Sequence, residues 1–378
     1  MKIGIVCYPT FGGSGVVATE LGLELSKRGH EIHFITYSQP VRLELLGANV
    51  HFHEVHVPDY PLFHYQPYEL ALSSKIVDTV KAYGIDVLHV HYAIPHAYAG
   101  YMAKKMLHED GISLPIVTTL HGTDITLVGS HPFYKTAVTF SINKSDAVTS
   151  VSENLKQDTQ RLFNTKKNIS VIPNFIDLDK YQSNPKDCQR DLLAQPHERV
   201  ITHISNFRPV KRIADVLRIF AELHHKIPSK LMMIGEGPER ESAEQLSQDL
   251  NIADQVVFLG NSNEVNKILC FSDLFLLPSE TESFGLSALE AMASGVPVIS
   301  SNTGGLSEVN IHGVSGYLSP VGDTDEMTKN AIEILSSDET LARFKAAAKT
   351  RAKQFNIHTI VPAYEKVYDT ALKNCISI

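Results

Sequence analysis

The sequence predicts an α/β protein made of two doubly wound domains, each a parallel sheet with helices on both faces. Three observations predict this class. Short β-branched runs alternate with amphipathic segments of helix length. The strand-like runs are almost continuously apolar, as in sheets that are covered on both sides. The alternation begins twice, before and after a polar stretch at residues 177–197, and 378 residues suit two domains of ordinary size.

The first half opens on a strand and continues with strand–helix alternation. Its predicted strands are residues 3–7, 31–37, 86–91, 116–120, 146–151 and 169–172. Its predicted helices are residues 15–28, 67–83 and 94–109. The glycines Gly29, Gly84 and Gly111 follow these helices at or just beyond their ends, as helix C-caps commonly do.

The second half repeats the pattern without repeating the sequence. Its predicted strands are residues 200–205, 230–234, 255–259, 274–277 and 296–299. Its predicted helices are residues 213–226, 239–251, 263–271 and 285–293, followed by three amphipathic helices at 324–336, 339–354 and 358–373. We predict one domain over residues 1–168, a second over 169–356, and a C-terminal helix at 357–378 that packs back on the first domain.

Composition and charge exclude several classes of protein. The net charge is −8 with a pI near 6.1, and no Lys/Arg run exceeds two residues, so nucleic acid is not an expected partner. No apolar stretch reaches transmembrane length, so no membrane is expected either. Four scattered cysteines predict reduced thiols and a cytoplasmic location. The oligomeric state stays open, a homo-oligomer included.

The most informative motif is Glu282-Ser-Phe-Gly-Leu-Ser-Ala-Leu-Glu290, between a predicted strand and the next apolar segment. Its two carboxylates bracket what the pattern predicts as a helix N-terminus, where free amides and the helix dipole favour an anion. One carboxylate precedes the helix and the other lies over a turn inside it. The motif therefore predicts a phosphate site flanked by acceptors for sugar and ribose hydroxyls.

A second glycine-rich loop, Tyr8-Pro-Thr-Phe-Gly-Gly-Ser-Gly15, follows the first strand and opens a helix. Glycines there allow a ligand to approach the backbone. The string Gly13-Ser-Gly-Val-Val-Ala18 also fits the nicotinamide-dinucleotide fingerprint. However, its glycines come well after the strand ends, and the second strand ends at Phe34-Ile-Thr-Tyr-Ser38 without the acid that binds a ribose. A dehydrogenase is therefore disfavoured.

Polar residues follow other strands at the same edge. His121 comes directly after a buried strand, and Asp124 can orient its loop or ring, or cap a helix. Lys211 and Arg212 follow the first strand of the second half, where they can neutralise a departing diphosphate, although cations oppose a helix dipole there. The turns Gly235-Glu-Gly-Pro238 and Thr303-Gly-Gly305 are weak signals alone.

Two histidine pairs, His51 with His53 and His89 with His91, have the two-residue spacing that puts side chains on one face of a strand. With no cluster of neighbouring carboxylates to complete a site, structural histidines are favoured over metal ligands. No Asp-x-Asp element stands at a strand end to hold a metal–diphosphate. The sequence predicts no metal and no cofactor.

These motifs together resemble the retaining GT-B glycosyltransferases of family four over nearly the whole chain. The resemblance implies two Rossmann-like domains facing an inter-domain cleft, the first for the acceptor and the second for the nucleotide sugar. The strings Cys7-Tyr-Pro-Thr-Phe-Gly-Gly-Ser-Gly-Val-Val, His89-Val-His-Tyr-Ala-Ile-Pro-His96 and His203-Ile-Ser-Asn-Phe-Arg-Pro-Val-Lys-Arg212 are similar to the branch that opens bacillithiol biosynthesis. That likeness implies UDP-N-acetylglucosamine as donor, L-malate as acceptor and an α-linked product.

The resemblance also implies roles for individual residues in the second domain. Glu290 holds the ribose hydroxyls, while Glu282 and the amides after it hold the sugar and the diphosphate. Lys211 neutralises the diphosphate. Family members often carry arginine at the position of Asn206, so Arg208 is the candidate that supplies the missing charge. The amides are those of Ser283, Phe284, Gly285 and Leu286.

In the first domain the resemblance brings Gly13 to the diphosphate and His121 to the transferred sugar, which makes His121, Lys211 and Glu282 the candidate catalytic residues. Ser14, Tyr92 and Thr119 are candidates for the malate pocket, as hydroxyl donors at the edge of the first sheet. No carboxylate is marked as a nucleophile, so we expect same-face attack by the malate hydroxyl, with a donor phosphate oxygen taking its proton.

Three alternatives remain open on the sequence. The first is a family-four transferase with another acceptor, such as a polyol phosphate or a growing glycan. The second is a non-hydrolysing UDP-N-acetylglucosamine epimerase, which shares the two-domain architecture and needs no acceptor. The third is a sugar-nucleotide binding module without turnover.

Overall fold

The computed structural model describes residues 1–10, 12–43, 49–59, 64–181, 188, 190–262 and 264–376. The chain forms two compact units, the first comprising Met1–Asn174 with Ile357–Ile378 and the second Phe175–Asn356. The predicted domain boundary after residue 168 falls shortly before this division. Residue 263 of one predicted helix and residues 377 and 378 of the C-terminal helix lie outside the described residues.

The first unit contains a seven-stranded parallel sheet in the order β3-β2-β1-β4-β5-β6-β7. Its strands are β1 Lys2–Val6, β2 Glu31–Thr36, β3 Val50–Glu54, β4 Val87–His91, β5 Ile116–Leu120, β6 Ala147–Ser150 and β7 Ile169–Val171. The central strands β4 and β5 are buried along their length, as in sheets covered on both faces, although they include the polar residues His89, His91, Thr118 and Thr119. The edge strand β3 includes His51 and His53, whose spacing predicted a shared strand face, but it was not among the predicted strand ranges because three of its five residues are polar.

Helices follow the strands of the first unit. They are α1 Gly13–Lys27, α2 Tyr68–Tyr83, α3 Tyr98–Glu109, α4 Pro132–Lys144 and α5 Glu153–Phe163. Neither α4 nor α5 was among the helices predicted from the sequence. The start of α3 was predicted four residues early, because residues 93–97 form a separate turn after Tyr92, whose φ is 86°.

The second unit contains a six-stranded parallel sheet in the order β10-β9-β8-β11-β12-β13. Its strands are β8 Arg199–Ile204, β9 Ser229–Ile234, β10 Val256–Gly260, β11 Leu274–Leu277, β12 Val298–Ser301 and β13 Gly316–Ser319. Its helices are α6 Ile213–His224, α7 Arg240–Asp249, α8 Val265–Leu269, α9 Leu286–Ala293, α10 Leu306–Val309, α11 Thr324–Leu335 and α12 Asp338–Ala352. The core packs α6, α11 and α12 against the sheet.

The strand order reverses direction once in each sheet, between β1 and β4 in the first unit and between β8 and β11 in the second. Loops at such a switch point diverge to opposite faces and leave a crevice beyond the carboxyl ends of the strands. The loops after these four strands carry most of the predicted site residues. Topology therefore positions each half of the candidate site.

The last helix, α13 Ile357–Ile376, belongs to the first unit, where it contacts α1, β4 and β5. Its side chains Tyr364 and Tyr368 are completely buried. The hydroxyl of Tyr368 lies 2.8 Å from Nδ1 of His89 on β4. The final segment of the chain thus completes the core of the first unit.

The expectation of reduced cysteines is wrong for one pair. Cys188 and Cys270 form a disulfide, with their Cα atoms 5.9 Å apart although 82 positions separate them in sequence. Spacing along the chain cannot reveal such proximity, because folding alone brings the two segments together. Cys7 is a free, buried thiol. Within the described residues, no helix has the length and hydropathy to cross a bilayer.

Candidate functional site

The second unit brings Lys211 and Glu282 into direct contact at its switch point. Lys211 lies in the turn after β8, Glu282 lies in the loop after β11, and Nζ donates a hydrogen bond of 2.5 Å to Oε2 of the carboxylate. Both side chains keep a minor exposed fraction, 18% and 16%. The amide of Glu280 donates to the carbonyl of Val210, which ties the two loops together. Two predicted catalytic residues are therefore neighbours.

The start of α9 presents a row of free amides. Among the described residues, none accepts a hydrogen bond from the amides of Ser283, Phe284, Gly285 or Leu286. The side chain of Phe284 is buried against Phe355, so only the backbone of this residue is left for a ligand. Free amides at a helix N-terminus form an anion site.

Glycines hold this loop in place by close backbone packing. Gly285 has φ +94°, and a Cβ there would lie 2.6 Å from Cδ2 of Leu306. Gly304 has φ +52°, and its Cβ would lie 2.0 Å from the carbonyl oxygen of Glu282. The amide of Gly305 donates to that same carbonyl. The Thr303-Gly-Gly turn, a weak signal in the sequence, thus supports the loop that carries Glu282.

Glu290 is buried on α9 and accepts a hydrogen bond of 2.9 Å from the hydroxyl of Tyr181. A carboxylate has two oxygens and several acceptor positions, so this bond orients the group without exhausting it. Tyr181 was not predicted as a site residue. It comes from the polar stretch after the first domain, where no motif marked it.

The loop after β8 holds three further polar groups. Asn206 and Arg208 are exposed, and among the described residues the side chain of Arg208 forms no ion pair. Arg212 differs, since its Nε donates to Asp215 at 2.6 Å. A Cβ on Gly237 would lie 2.1 Å from the carbonyl oxygen of Asn206, so the Gly235-Glu-Gly turn packs directly on this loop. Arg208 keeps a charge available for a ligand.

The first unit gathers the hydroxyls that the sequence predicted. The Oγ of Ser14, at the start of α1, lies 2.6 Å from the hydroxyl of Tyr92 after β4. Among the described residues, the amides of Gly13 and Ser14 meet no acceptor. A Cβ on Gly15 would lie 2.4 Å from the carbonyl oxygen of Thr10, which requires glycine there. This loop combines free amides with two hydroxyls.

His121 follows β5 and stands beside Tyr92, with ring centroids 5.1 Å apart. Its Nε2 lies 2.8 Å from Nδ1 of His91, so Nδ1 of His121 is the nitrogen left for a ligand. Asp124 accepts hydrogen bonds from the amides of Ala93, Gly122 and His121. Asp124 therefore orients the loops after β4 and β5 through their backbone and does not orient the imidazole ring.

Burial keeps the imidazoles of this region neutral near pH 7. Desolvation lowers the pKa of His121 to about 3 and that of His96 to about 4, and it lowers the pKa of His91 well below the ordinary value. Desolvation also raises the pKa of Asp124 to about 6. Neutral imidazoles offer N–H donors and acceptors to a ligand rather than positive charge.

Thr119 is more deeply buried than Ser14 and Tyr92, the other residues predicted for the malate pocket. It is completely buried on β5, and its Oγ1 lies 2.7 Å from both Nε2 of His89 and Oγ1 of Thr149. A hydroxyl offers one donor and two acceptor positions, so at least two of the three serve inside the domain. Thr119 supports the floor of the region beneath Tyr92 and His121.

Sequence reasoning missed two residues of this half-site. The Nε2 atoms of His91 and His96 are buried, and among the described residues neither has a hydrogen-bond partner. Tyr8 packs on His96 with ring centroids 4.5 Å apart. Both histidines lie in the string His89-Val-His-Tyr-Ala-Ile-Pro-His96, in which the spacing of His91 from His89 favoured a structural role and nothing singled out His96. Only the fold brings them beside His121 and Tyr92.

Comparison with known families covers nearly all of the chain. Residues 11–180 match the model described as Glycosyltransferase Family 4, and residues 186–351 match Glycosyl transferases group 1. N-acetyl-alpha-D-glucosaminyl L-malate synthase of Bacillus anthracis is 46% identical over 376 residues, which is 99% of this chain and 98% of that protein.

Solved structures share the fold at low sequence identity. Sucrose-phosphate synthase from Thermosynechococcus elongatus superposes with a TM-score of 0.81 at 20% identity, over 99% of both chains. HepE of Anabaena, in complex with UDP-glucose, gives a TM-score of 0.80 at 20% identity, over 98% of this chain and 100% of its own. The predicted fold class, α/β GT-B with two Rossmann-like domains, is confirmed.

Proposed function

The chain belongs to the glycosyltransferases of family four, and on that premise we propose that it transfers N-acetylglucosamine from UDP-N-acetylglucosamine to the hydroxyl of L-malate. The product is N-acetyl-α-D-glucosaminyl L-malate, and the anomeric configuration of the donor is retained. The Bacillus anthracis relative, 46% identical along almost its whole length, carries the name of this reaction. We infer the reaction to be the first step of bacillithiol biosynthesis.

The observation that carries the proposal is the row of free amides at the start of α9 beside the Lys211–Glu282 pair. A diphosphate fits there, because its oxygens accept from the amides while Lys211 offsets its charge. Once Lys211 turns to the phosphate, Glu282 is released to accept from sugar hydroxyls. Glu290, oriented by Tyr181, accepts from the ribose.

At the anomeric carbon of the sugar, one bond forms and one breaks. The hydroxyl oxygen of malate bonds to the anomeric carbon, while the bond from that carbon to the β-phosphate oxygen breaks and UDP leaves. The proton of the attacking hydroxyl passes to a phosphate oxygen of the departing UDP on the same face of the sugar. Stabilising the charge of that leaving group is the largest catalytic contribution we assign to the protein.

Malate recognition falls to the first unit. The amide of Ser14 at the α1 terminus is a donor for carboxylate oxygens, and the hydroxyl pair of Ser14 and Tyr92, in which one O–H donates to the other oxygen, supplies one further O–H. His121 contributes Nδ1 toward the transferred sugar. Since its neighbouring histidines are neutral, hydrogen bonds rather than imidazolium charges favour the dianion here.

The proposed transfer uses no metal and no cofactor. Lys211, Arg208 and the α9 amides supply the positive potential that a divalent cation supplies in other nucleotide-sugar enzymes. We place the enzyme in the cytoplasm, where UDP-N-acetylglucosamine and malate are both available.

The test is incubation with UDP-N-acetylglucosamine and a panel of hydroxy acids and polyol phosphates, in the presence of a chelator. Mass spectrometry identifies the product, and NMR assigns its anomeric configuration. We expect an α-linked malate adduct and stoichiometric UDP. If only another acceptor gave an adduct, the family assignment would stand, but L-malate would not be the acceptor. Isomerised donor without any acceptor would indicate the epimerase, and donor binding without turnover would indicate a binding module.

A further inference from the structure

The first unit carries a cluster of imidazoles and one carboxylate that the transfer reaction does not use. Glu31, His33 and His51 lie on one face of the sheet, on the paired strands β2 and β3. One ligand atom from each residue lies within 4.8 Å of those of the other two. The strand pairing that sets His33 beside His51 therefore supplies the carboxylate that the sequence alone did not place.

We propose that Glu31, His33 and His51 bind a divalent transition-metal ion of the zinc class. Oε1 of Glu31 lies 3.0 Å from Nε2 of His33 and 3.6 Å from Nε2 of His51. Ligand atoms about 2.0–2.1 Å from a tetrahedral ion are roughly 3.3 Å apart. The two distances bracket that separation, so an ion fits with small rotations of the side chains.

The chemistry of the ligands selects the ion. Two imidazole nitrogens and one carboxylate oxygen suit zinc and its neighbours, and they leave the fourth position to water. Magnesium and calcium prefer oxygen ligands alone. Lys2 approaches the other carboxylate oxygen, with Nζ 3.5 Å from Oε2 of Glu31, and so leaves Oε1 for the ion.

A second layer of contacts orients the buried ligand. His33 is completely buried, and its Nδ1 lies 2.9 Å from Nε2 of His53. When Nδ1 of His33 carries the proton and donates it to His53, Nε2 presents its lone pair to the ion. Ligating histidines in metalloproteins commonly have such a partner. Without metal, the same atoms form a proton-linked chain from His53 through His33 to Glu31.

Access and position favour a site separate from the transferase chemistry. The side chains of His51 and Glu31 are 36% and 31% exposed, so an ion can enter from solvent and find His33 fixed beneath. Glu31 is the first residue of β2, at the amino end of the sheet. The substrate residues follow the carboxyl ends. An ion here would join the edge strand β3 to β2 and stabilise that pairing.

The experiment measures zinc binding by the untagged full-length protein. After chelator treatment and dialysis against Zn²⁺, elemental analysis counts the bound equivalents. We compare the wild type with His51→Ala, with Glu31→Gln and with the double variant. The matched control is His108→Ala, which removes an exposed histidine from α3. Far-UV circular dichroism and transferase activity verify that each variant is folded.

We expect the double variant to lose one equivalent of zinc that the wild type and His108→Ala both bind. Zinc should also raise the melting temperature of the wild type and the control, but not that of the double variant. Transferase activity should be the same in all of them with a chelator present. Equal zinc content in the double variant and the wild type, or no bound zinc in the wild type, overturns the proposal.

Discussion

Lys211 is the side chain whose loss should slow the transfer most. It contacts Glu282 at 2.5 Å and stands beside the free amides of α9, where the proposed diphosphate departs. Removing one group that stabilises developing negative charge commonly costs about 10²–10³ in rate. We therefore predict that Lys211→Ala lowers kcat for the malate reaction by about that factor, measured by UDP release at saturating substrates.

Two variants separate this effect from a general loss of charge or folding. Lys226→Ala removes an exposed lysine from the same unit and should leave kcat unchanged. In Lys211→Ala the carboxylate of Glu282 loses its partner, which should lower the stability of the protein. Adding Glu282→Gln removes that unpaired carboxylate and should recover the stability but not kcat. A Lys211→Ala enzyme within a few-fold of wild-type kcat would rule out the assigned role.

At the scale of one element, the start of α9 depends on Gly285. Its φ of +94° is strained for any other residue, and its Cβ would also lie 2.6 Å from Leu306. We predict that Gly285→Ala lowers the free energy of unfolding by about 1–3 kcal/mol from backbone strain, with a further loss from crowding. It should also weaken UDP binding, since the amides of the loop must shift.

Gly313→Ala is the matched control for this element. Gly313 also has positive φ, +74°, but no atom lies within 4 Å of its added Cβ. Urea unfolding followed by circular dichroism and UDP titration by calorimetry compare the two variants. Gly285→Ala should be the less stable and the weaker binder. Equal stability and equal affinity in both would mean that crowding against Leu306 does not position the loop.

At the scale of the whole molecule, buried histidines make stability depend on pH. Burial lowers the pKa of His89 and His121 to about 3 and that of His96 to about 4. The unfolded side chain titrates near 6.5, so below that pH the unfolded chain binds more protons and stability falls. Asp124 has the opposite effect between its unfolded pKa near 4 and its folded pKa of about 6, because there the folded chain binds the extra proton and stability rises as the pH falls.

Among the described residues, more histidines have a pKa lowered by burial than carboxylates have a pKa raised by it. The net effect of acid is therefore to destabilise the folded protein. We predict that the free energy of unfolding decreases by more than about 1.4 kcal/mol per pH unit as the pH falls from 6 to 4. Urea unfolding at several pH values, followed by circular dichroism, measures the slope. In parallel, the NMR signals of these imidazoles should not titrate between pH 8 and 5. A stability that stays constant from pH 7 to 5 would contradict the burial argument.

Much of the fold could be predicted because local patterns decide it. Strands such as β11 are apolar along their length, and the first helices end at glycines such as Gly84 with φ +68°. Elements with mixed composition escaped prediction. Three of the five residues of β3 are polar, and α5 has only three apolar residues among its eleven. Their stability depends on packing against neighbouring elements, β2 for β3 and β6 and β7 for α5, which the local pattern of residues does not show.

Some residues of the candidate site could likewise be predicted from the sequence, and others could not. Glu282 and Lys211 could be predicted because an anion site at a helix start needs particular residues at particular positions. Tyr181, His91 and His96 do not, since nothing in their local sequence shows what they approach. The depth of Thr119 and the Cys188–Cys270 bond likewise depend on which segments meet.

The sequence by itself determined the two α/β domains, the family resemblance and the residues offered to a nucleotide sugar, because periodicity and loop chemistry are local properties. Tertiary structure decided which of these residues touch, which histidines stay neutral and where Glu31 meets His33 and His51. Distances, burial and desolvation arise only when distant segments of the chain pack together. That is why charge state and contact could not be predicted from the order of residues.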